Sequence, residues 1–372
     1  MARIGKSIEA AARAIRSHVG PSYRRAYRAL VTRGLDERHE GEPIVCCDFT
    51  NPAIDGVGGR YYASLVRDLI DAGYFPVFTA RRGTLSTFGT SRMKSPLLAE
   101  RLGVVASPDD LPEPYFLITD NDEPAPLSAT RVVRMSYDKR RCATPDEIAF
   151  PLFMHPRVAA AAASSGAGET DAPRPARIFF GGNTAHGKYD KPILRDVYGM
   201  LTRREMLETA CAAVPCDGVH RPADAAAWLD SPAYHPFVLC ETQHCGIPPR
   251  RWLEALAKAD FFLACPGVGM PLCHNLIEAM AAGCVPILQY AAYLTPPLDD
   301  GVTCMAFADA RSLGEVVAAV LAMSPERIRG MRANVRRHYQ DFLTPGRFSQ
   351  RLFGGPRDRL TLLLNDYRVP RR

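Results

Sequence analysis

Two successive series of short apolar runs, each closed by a turn and followed by a helical pattern, constrain this chain more than any other feature. The first series begins at "PIVCCDF" (43–49) and passes the Gly-rich turn "DGVGGR" into "YYASLVRDLIDAG". There Tyr62, Leu65, Val66, Leu69 and Ile70 mark one helical face, and the chain returns as "YFPVFTA". Strand, turn, helix and strand in that order form a βαβ unit, because parallel neighbours need a crossover long enough to hold a helix. "YFLITD" (115–120) and "RVVRMSY" (131–137) extend the same sheet. The second series runs "RIFFGG" (177–182), a helix over "LRDVYGMLTRREMLETACAA", strand "FVLCE" (237–241), helix "RRWLEALAKA", strand "DFFLACPG", helix "LCHNLIEAMAAG" and strand "VPILQ". Two helices, "SLGEVVAAVLAM" and "SPERIRGMRANVRRHYQDFL", follow.

Between the series lies "AAAASSGAGETDAPRPAR", whose Ala, Ser, Gly and Pro content marks a linker. A chain of 372 residues also exceeds what one core usually holds. The expected organisation is therefore a basic helical segment (1–34), a first domain (35–160), a linker (161–176), a second domain (177–345) and a tail (346–372) that packs back on the first domain. The fold class expected is α/β, with two Rossmann-like, doubly wound domains facing a central cleft. Ligands of such sheets bind beyond the carboxyl ends of the strands.

Charge is distributed unevenly. Residues 1–34 carry eight basic side chains against Glu9 alone, a net +7 within a total of +6, so the remainder stands at −1. No basic stripe interleaved with aromatics appears in the body, which excludes nucleic acid as the expected partner. "ARIGKSIEAAARAIRSHVG" places Ile4, Ile8, Ala11, Ala12 and Ile15 at helical spacing among arginines, making the N-terminus the candidate for peripheral contact with a membrane. Neither a signal peptide nor a spanning run of apolar residues is evident, so the expected location is cytoplasmic, or peripheral to the inner face of the membrane. The eleven cysteines form no CxxC pair and read as reduced thiols; "CETQHCG" (Cys240, His244, Cys245) has too few correctly spaced ligands for a metal.

The stretch "CPGVGMPLCHNLIEAMAAGCVPIL" (265–288) carries most of the chemistry. Pro266, Gly267 and Gly269 give a turn of little bulk after a strand, letting a ligand approach the backbone. The helix that follows aims its first amides at that space, favouring negative charge such as a phosphate. On a helical wheel Leu272, Cys273, Leu276, Ile277 and Met280 share one arc, whereas His274, Asn275 and Glu278 share the opposite arc and should point away from the core. Read alone, His274 and Glu278 are equally an exposed i, i+4 pair.

Pro266-Gly267, Glu278-Ala279, Gly283-Cys284-Val285-Pro286-Ile287 and Tyr293 before Pro296-Pro297, taken in order, resemble the donor-binding half of the exostosin-like glycosyltransferases, which have the GT-B architecture. The likeness extends over residues 177–350 and is weak before them. It implies that the co-substrate is a nucleotide-diphosphate sugar, that no cofactor or metal is required, and that Glu278 holds the nucleotide ribose. It also implies that Gly181, Gly182 and Asn183 lie beside the diphosphate, with Lys188, Arg203 and Arg204 as the cations to reach it. The loop from Glu241 to Gly246 is expected to face the base.

The implied activity is transfer of a sugar to a glycan or glycolipid acceptor in surface polysaccharide synthesis. An inverting reaction needs a base near the cleft, and Asp48, Asp55, Asp120, Asp138 and His155 all lie near strand ends of the first domain. Asp48 and Asp55, flanking "GVGG", are preferred. Asp120-Asn121-Asp122 also resembles the DxD metal site of the rival GT-A glycosyltransferases. A nucleotide-sugar epimerase of GT-B-like fold, or a non-catalytic nucleotide- or glycan-binding protein, would share the donor pocket.

Overall fold

The computed structural model describes residues 20–50, 59–162, 173–185, 187–215 and 217–365. Asp55, the amphipathic segment before residue 20 and most of the Ala-rich linker lie outside the described residues.

The first domain is built from α1 (Pro21–Val31), β1 (Ile44–Asp48), α2 (Arg60–Asp71), β2 (Phe75–Thr79), β3 (Gly103–Val105), β4 (Tyr115–Thr119), β5 (Ala129–Ser136) and β6 (Glu147–Ala149), and the chain then crosses in α3 (Pro156–Ala162), which packs on residues 249–257 of the second domain. The second domain holds β7 (Ala176–Gly182), α4 (Arg203–Ala213), β8 (Val219–His220), β9 (His235–Glu241), α5 (Trp252–Ala257), β10 (Ala259–Leu263) and α6 (His274–Ala281). It continues through β11 (Val285–Leu288), β12 (Met305–Ala306), α7 (Ala310–Leu321) and α8 (Pro325–Phe342), after which the chain forms α9 (Arg347–Gly354) and β13 (Arg359–Leu363).

The strands form two sheets, ordered β3-β2-β1-β4-β5-β13-β6 and β12-β11-β10-β7-β9-β8, and every pairing is parallel. β1, β2, β10 and β11 are buried along their whole length, as strands covered by helices on both faces must be. Their continuous apolar runs are the sequence trace of that burial. Each sheet reverses its winding at its first strand, between β1 and β4 and between β7 and β10, so each has a switch-point crevice at its carboxyl edge. The protein is an α/β chain of two Rossmann-like domains.

One expected helix is two. The run "LRDVYGMLTRREMLETACAA" breaks after Ile193–Asp196, because Gly199 takes φ 63° and Thr202 starts α4 afresh. The Thr202 hydroxyl accepts from the Glu205 amide, and the Glu205 carboxylate accepts from the Thr202 amide at 2.8 Å, a reciprocal cap.

The tail crosses to the first domain, where β13 lies between β5 and β6, pairing Leu362 with Met135 on one side and Ile148 on the other. Asp68 of α2 fixes the approach: its carboxylate accepts from the amides of Gly346 and Ser349 and from the Ser349 hydroxyl, each at 2.7 Å. An acid from another helix thus caps α9, satisfying amides that have no partner within the helix. Gly346 itself has φ 83°, and a Cβ there would stand 2.9 Å from the backbone of Asp71 and Ala72. At the other end, the Arg131 guanidinium donates to the carbonyls of Leu352 (3.0 Å) and Gly355.

Candidate functional site

At the second switch point, a cleft of about 600 Å³ opens between the domains. Gly181, Gly182 and Asn183 leave β7 on one side, Gly267 follows β10, and His274, Asn275 and Glu278 come from α6. Arg60 and Tyr61 at the start of α2, with Leu152 and His155, form the facing wall. Asn275 Nδ2 donates to the Gly181 carbonyl at 3.1 Å, holding the β7 loop to the start of α6. Pro266 and Gly269 shape the same turn without lining the cleft; Gly269 has φ 73°, and the Pro266 carbonyl serves as an acceptor.

Glu278 points away from the core of its own domain, yet it is only 2% exposed because His155 from the facing wall and Trp252 from the neighbouring helix cover it. Its Oε1 accepts from the His155 amide at 2.9 Å and its Oε2 from Trp252 Nε1 at 2.6 Å. Loss of water pushes the carboxyl up to about 7, while these two hydrogen bonds and the charge of Arg60 pull it back. His274 is buried as well: Nδ1 lies 2.7 Å from the Phe153 carbonyl and Nε2 lies 2.5 Å from Arg60 Nη1. A guanidinium only donates, so Nε2 accepts and Nδ1 carries the proton, giving a neutral ring. Burial and the neighbouring Arg60 charge hold its pKa down at about 3. The pair is therefore not an exposed salt-bridge-type couple. Both side chains join the domains.

Among the described residues, His155 is the first-domain candidate that lines the cleft. Burial, Arg60 and Arg157 lower its pKa to about 4, and its Nδ1 accepts from the Arg157 amide at 3.2 Å, which leaves the proton on Nε2. The segment leading to it is strained, with Leu152 at φ 65° and Phe153 at φ 48°. Contacts of Phe153 and His155 with α6 hold that conformation.

Of the three cations expected near the phosphates, the structure separates two adjacent arginines. Arg203 is 4% exposed and lines the cleft, donating to the Asn183 carbonyl at 2.7 Å and the Pro266 carbonyl at 3.1 Å. It thereby ties the loops after β7 and β10 together, with its guanidinium 3.6 Å from the centre of the Tyr189 ring. Among the described residues no carboxylate forms an ion pair with it, and its Nε has no hydrogen-bond partner. Arg204 faces away from the cleft, exposed and paired with Asp190 at 2.9 Å. Lys188 is exposed at the rim, 5.5 Å over the Tyr189 ring.

The other acids lie elsewhere. Asp48, buried at the end of β1, accepts from Thr79 Oγ1 at 2.8 Å and pairs with Arg81 at 2.8 Å; it does not line the cleft. Asp120 accepts from the Thr50 amide and hydroxyl and from the Tyr137 hydroxyl, at 2.6, 2.8 and 3.0 Å. Asp138 is exposed beside Arg140. Among the described residues, no group of three or more His, Cys, Asp and Glu side chains is placed to hold a metal ion. In the loop after β9, Thr242 and Cys245 reach the cleft, whereas Glu241 turns to the Thr184 hydroxyl at 2.5 Å. Cys240 and Cys245 lie with their sulfurs 3.2 Å apart.

Arg60 and Trp252, which contact His274 and Glu278 in the cleft, are not among the sequence candidates. Arg60 follows directly on the Gly-rich turn that begins α2, and that position was the available signal. Trp252 lies within the helical run "RRWLEALAKA", whose pattern gives no sign of a role in the cleft.

No protein-family model and no curated protein matches the chain. Among solved structures, a mutant O-GlcNAc transferase from Thermobaculum terrenum aligns over 90% of this chain and 71% of that one, with a TM-score of 0.40 and 11% identity. AviGT4, a glycosyltransferase involved in avilamycin A biosynthesis, aligns over 84% and 99%, with a TM-score of 0.32 and 14% identity. The spinosyn rhamnosyltransferase SpnG aligns over 83% and 72%, with a TM-score of 0.30 and 13% identity. Among the described residues, no helix is long and apolar enough to cross a membrane.

Proposed function

We propose that this chain is a glycosyltransferase that moves a sugar from a nucleotide-diphosphate donor to a glycan or glycolipid acceptor. The observation that carries the reading is Arg203, a buried guanidinium lining the cleft with no ion-paired carboxylate among the described residues. A buried charge without a counter-ion is costly, and a diphosphate lying on the Gly181–Asn183 loop would supply one. The amino end of α6 adds partial positive charge at the same place, and Glu278 stands one to two turns further along with acceptor capacity left for ribose hydroxyls. The exostosin-like order of motifs supports the same assignment.

In this reading the leaving diphosphate is stabilised by Arg203, by Lys188 from the rim and by the α6 amides, with no metal required. The first domain presents the acceptor. His155 and His274 are neutral, and neither has a ring nitrogen free to accept a proton, so His155 orients rather than abstracts. Asp48 is held by Arg81 and Thr79, which leaves Asp55 as the base for an inverting reaction. Surface polysaccharide is the acceptor class that the motif resemblance favours.

The test is incubation with a panel of radiolabelled nucleotide sugars and glycan acceptors, with and without EDTA. Label transferred to glycan with EDTA present supports the proposal. Label isomerised on the nucleotide would make the protein an epimerase, and bound but unchanged donor would make it a binding protein. Strict dependence on Mn²⁺ or Mg²⁺ would shift the chemistry to Asp120-Asn121-Asp122.

A further inference from the structure

Several arginines of the first domain are tied to carboxylates or carbonyls. Arg33 reaches Glu37 and the carbonyls of Leu98 and Glu100; Arg67 pairs with Glu100, Arg81 with Asp48 and Arg101 with Glu42. On α1, Arg24, Arg25 and Arg28 are exposed, and among the described residues they form no ion pair; α1 itself contains no acid. At 100° per residue the three fall within one quadrant or so of the helix, over about 6 Å of its length. The opposite face, through Ala26 and Leu30, is buried in the domain.

We propose that α1 docks the first domain on an anionic lipid surface, with Arg24, Arg25 and Arg28 meeting the phosphate headgroups. The charge asymmetry favours a flat, one-sided partner. Residues 1–19 add Arg3, Lys6, Arg13 and Arg16 against Glu9, immediately beside the patch in sequence, while the rest of the protein is close to neutral. A single-stranded nucleic acid would instead require cations and exposed rings along an extended track, and Tyr23 and Tyr27 are partly covered. The patch is also linked to the cleft. α1 packs on Ser86–Gly89, that turn on Ser95–Ala99, and that segment on α2, whose first turn supplies Arg60 and Tyr61 to the cleft wall.

Basic residues near an anionic membrane surface each strengthen binding about fivefold, so losing three should weaken it about a hundredfold. The test is sedimentation of the full chain with vesicles of phosphatidylcholine alone and of phosphatidylcholine with phosphatidylglycerol, comparing the native protein with R24Q/R25Q/R28Q. Expected are binding to the anionic vesicles only, release by high salt, and loss of about two orders of magnitude in the variant, with its melting temperature unchanged. Equal binding to both vesicles, or undiminished binding by the variant, would overturn the proposal. So would duplex DNA competing at equal concentration of phosphate, which would make the patch a general polyanion site. No sugar donor enters the measurement, so its outcome stands apart from the transferase reading.

Discussion

Trp252 and Glu278, 26 residues apart in sequence, meet at 2.6 Å through the indole Nε1 and one carboxylate oxygen. The contact is possible because β7 carries glycine where the indole lies: a Cβ on Gly181 would stand 2.6 Å from the ring. The other carboxylate oxygen is held from the opposite domain by the His155 amide. One acid is thereby fixed by a helix, a sheet and the facing wall of the cleft.

Replacing that acid by its amide keeps its volume but sets an NH₂ group against one of two donors. Glu278→Gln is expected to destabilise the protein by about 1–3 kcal/mol in urea unfolding. It should also abolish the rise in melting temperature given by a nucleotide-sugar ligand. Gly181→Ala should lose the same ligand response by displacing the indole, at a cost of roughly 1–3 kcal/mol. An unchanged ligand response in both variants would remove Glu278 from the donor site.

The two neighbouring arginines should behave differently. Arg204→Gln removes an exposed ion pair and should change stability by less than about 1 kcal/mol, with donor affinity intact. Arg203→Gln should weaken binding of a nucleoside diphosphate at least tenfold while affecting the nucleoside far less, as titration calorimetry with the two ligands would show. Equal losses for both ligands would mean that Arg203 only staples the loops.

Asp68 is a cap placed in trans. Asp68→Ala leaves the Gly346 and Ser349 amides buried without their acceptor and should cost roughly 2–4 kcal/mol by urea unfolding. Because β13 follows α9 into the sheet, limited proteolysis should then cut first between residues 343 and 358. A wild-type cleavage pattern would show that β13 pairing alone holds the tail.

Stability should depend on pH through the groups that join the domains. His274 and His155, lowered from 6.5 to about 3 and about 4, take up protons on unfolding, so their contribution rises with pH through the window from about 3 to 6.5. Glu278, raised from 4.5 to about 7, acts in the opposite sense: its contribution falls as pH rises from 4.5 to 7. Asp68, raised from 3.8 to about 6, also opposes the histidines. The wild-type melting temperature minus that of His274→Gln should therefore increase from pH 4 to 6.5. A difference independent of pH would show that His274 is not buried as a neutral ring.

What the sequence determined by itself was the backbone plan: two strand-turn-helix series, buried parallel strands, and a loop and helix aimed at a cleft beside Glu278. Those features are written locally, in apolar periodicity and in the placing of Gly and Pro, and local pattern is what a chain shows before it folds. Even there, Gly199 and the cap formed by Thr202 and Glu205 divided a run that periodicity alone joined into one helix. The tertiary structure alone decided that β13 would enter the first sheet more than two hundred residues from its partner β5. It also decided that Arg203 rather than Arg204 would face the cleft, and that His155 and Trp252 would bury Glu278. Each of these depends on which surfaces exclude water together, and such pairings between distant segments leave no periodic trace in the chain.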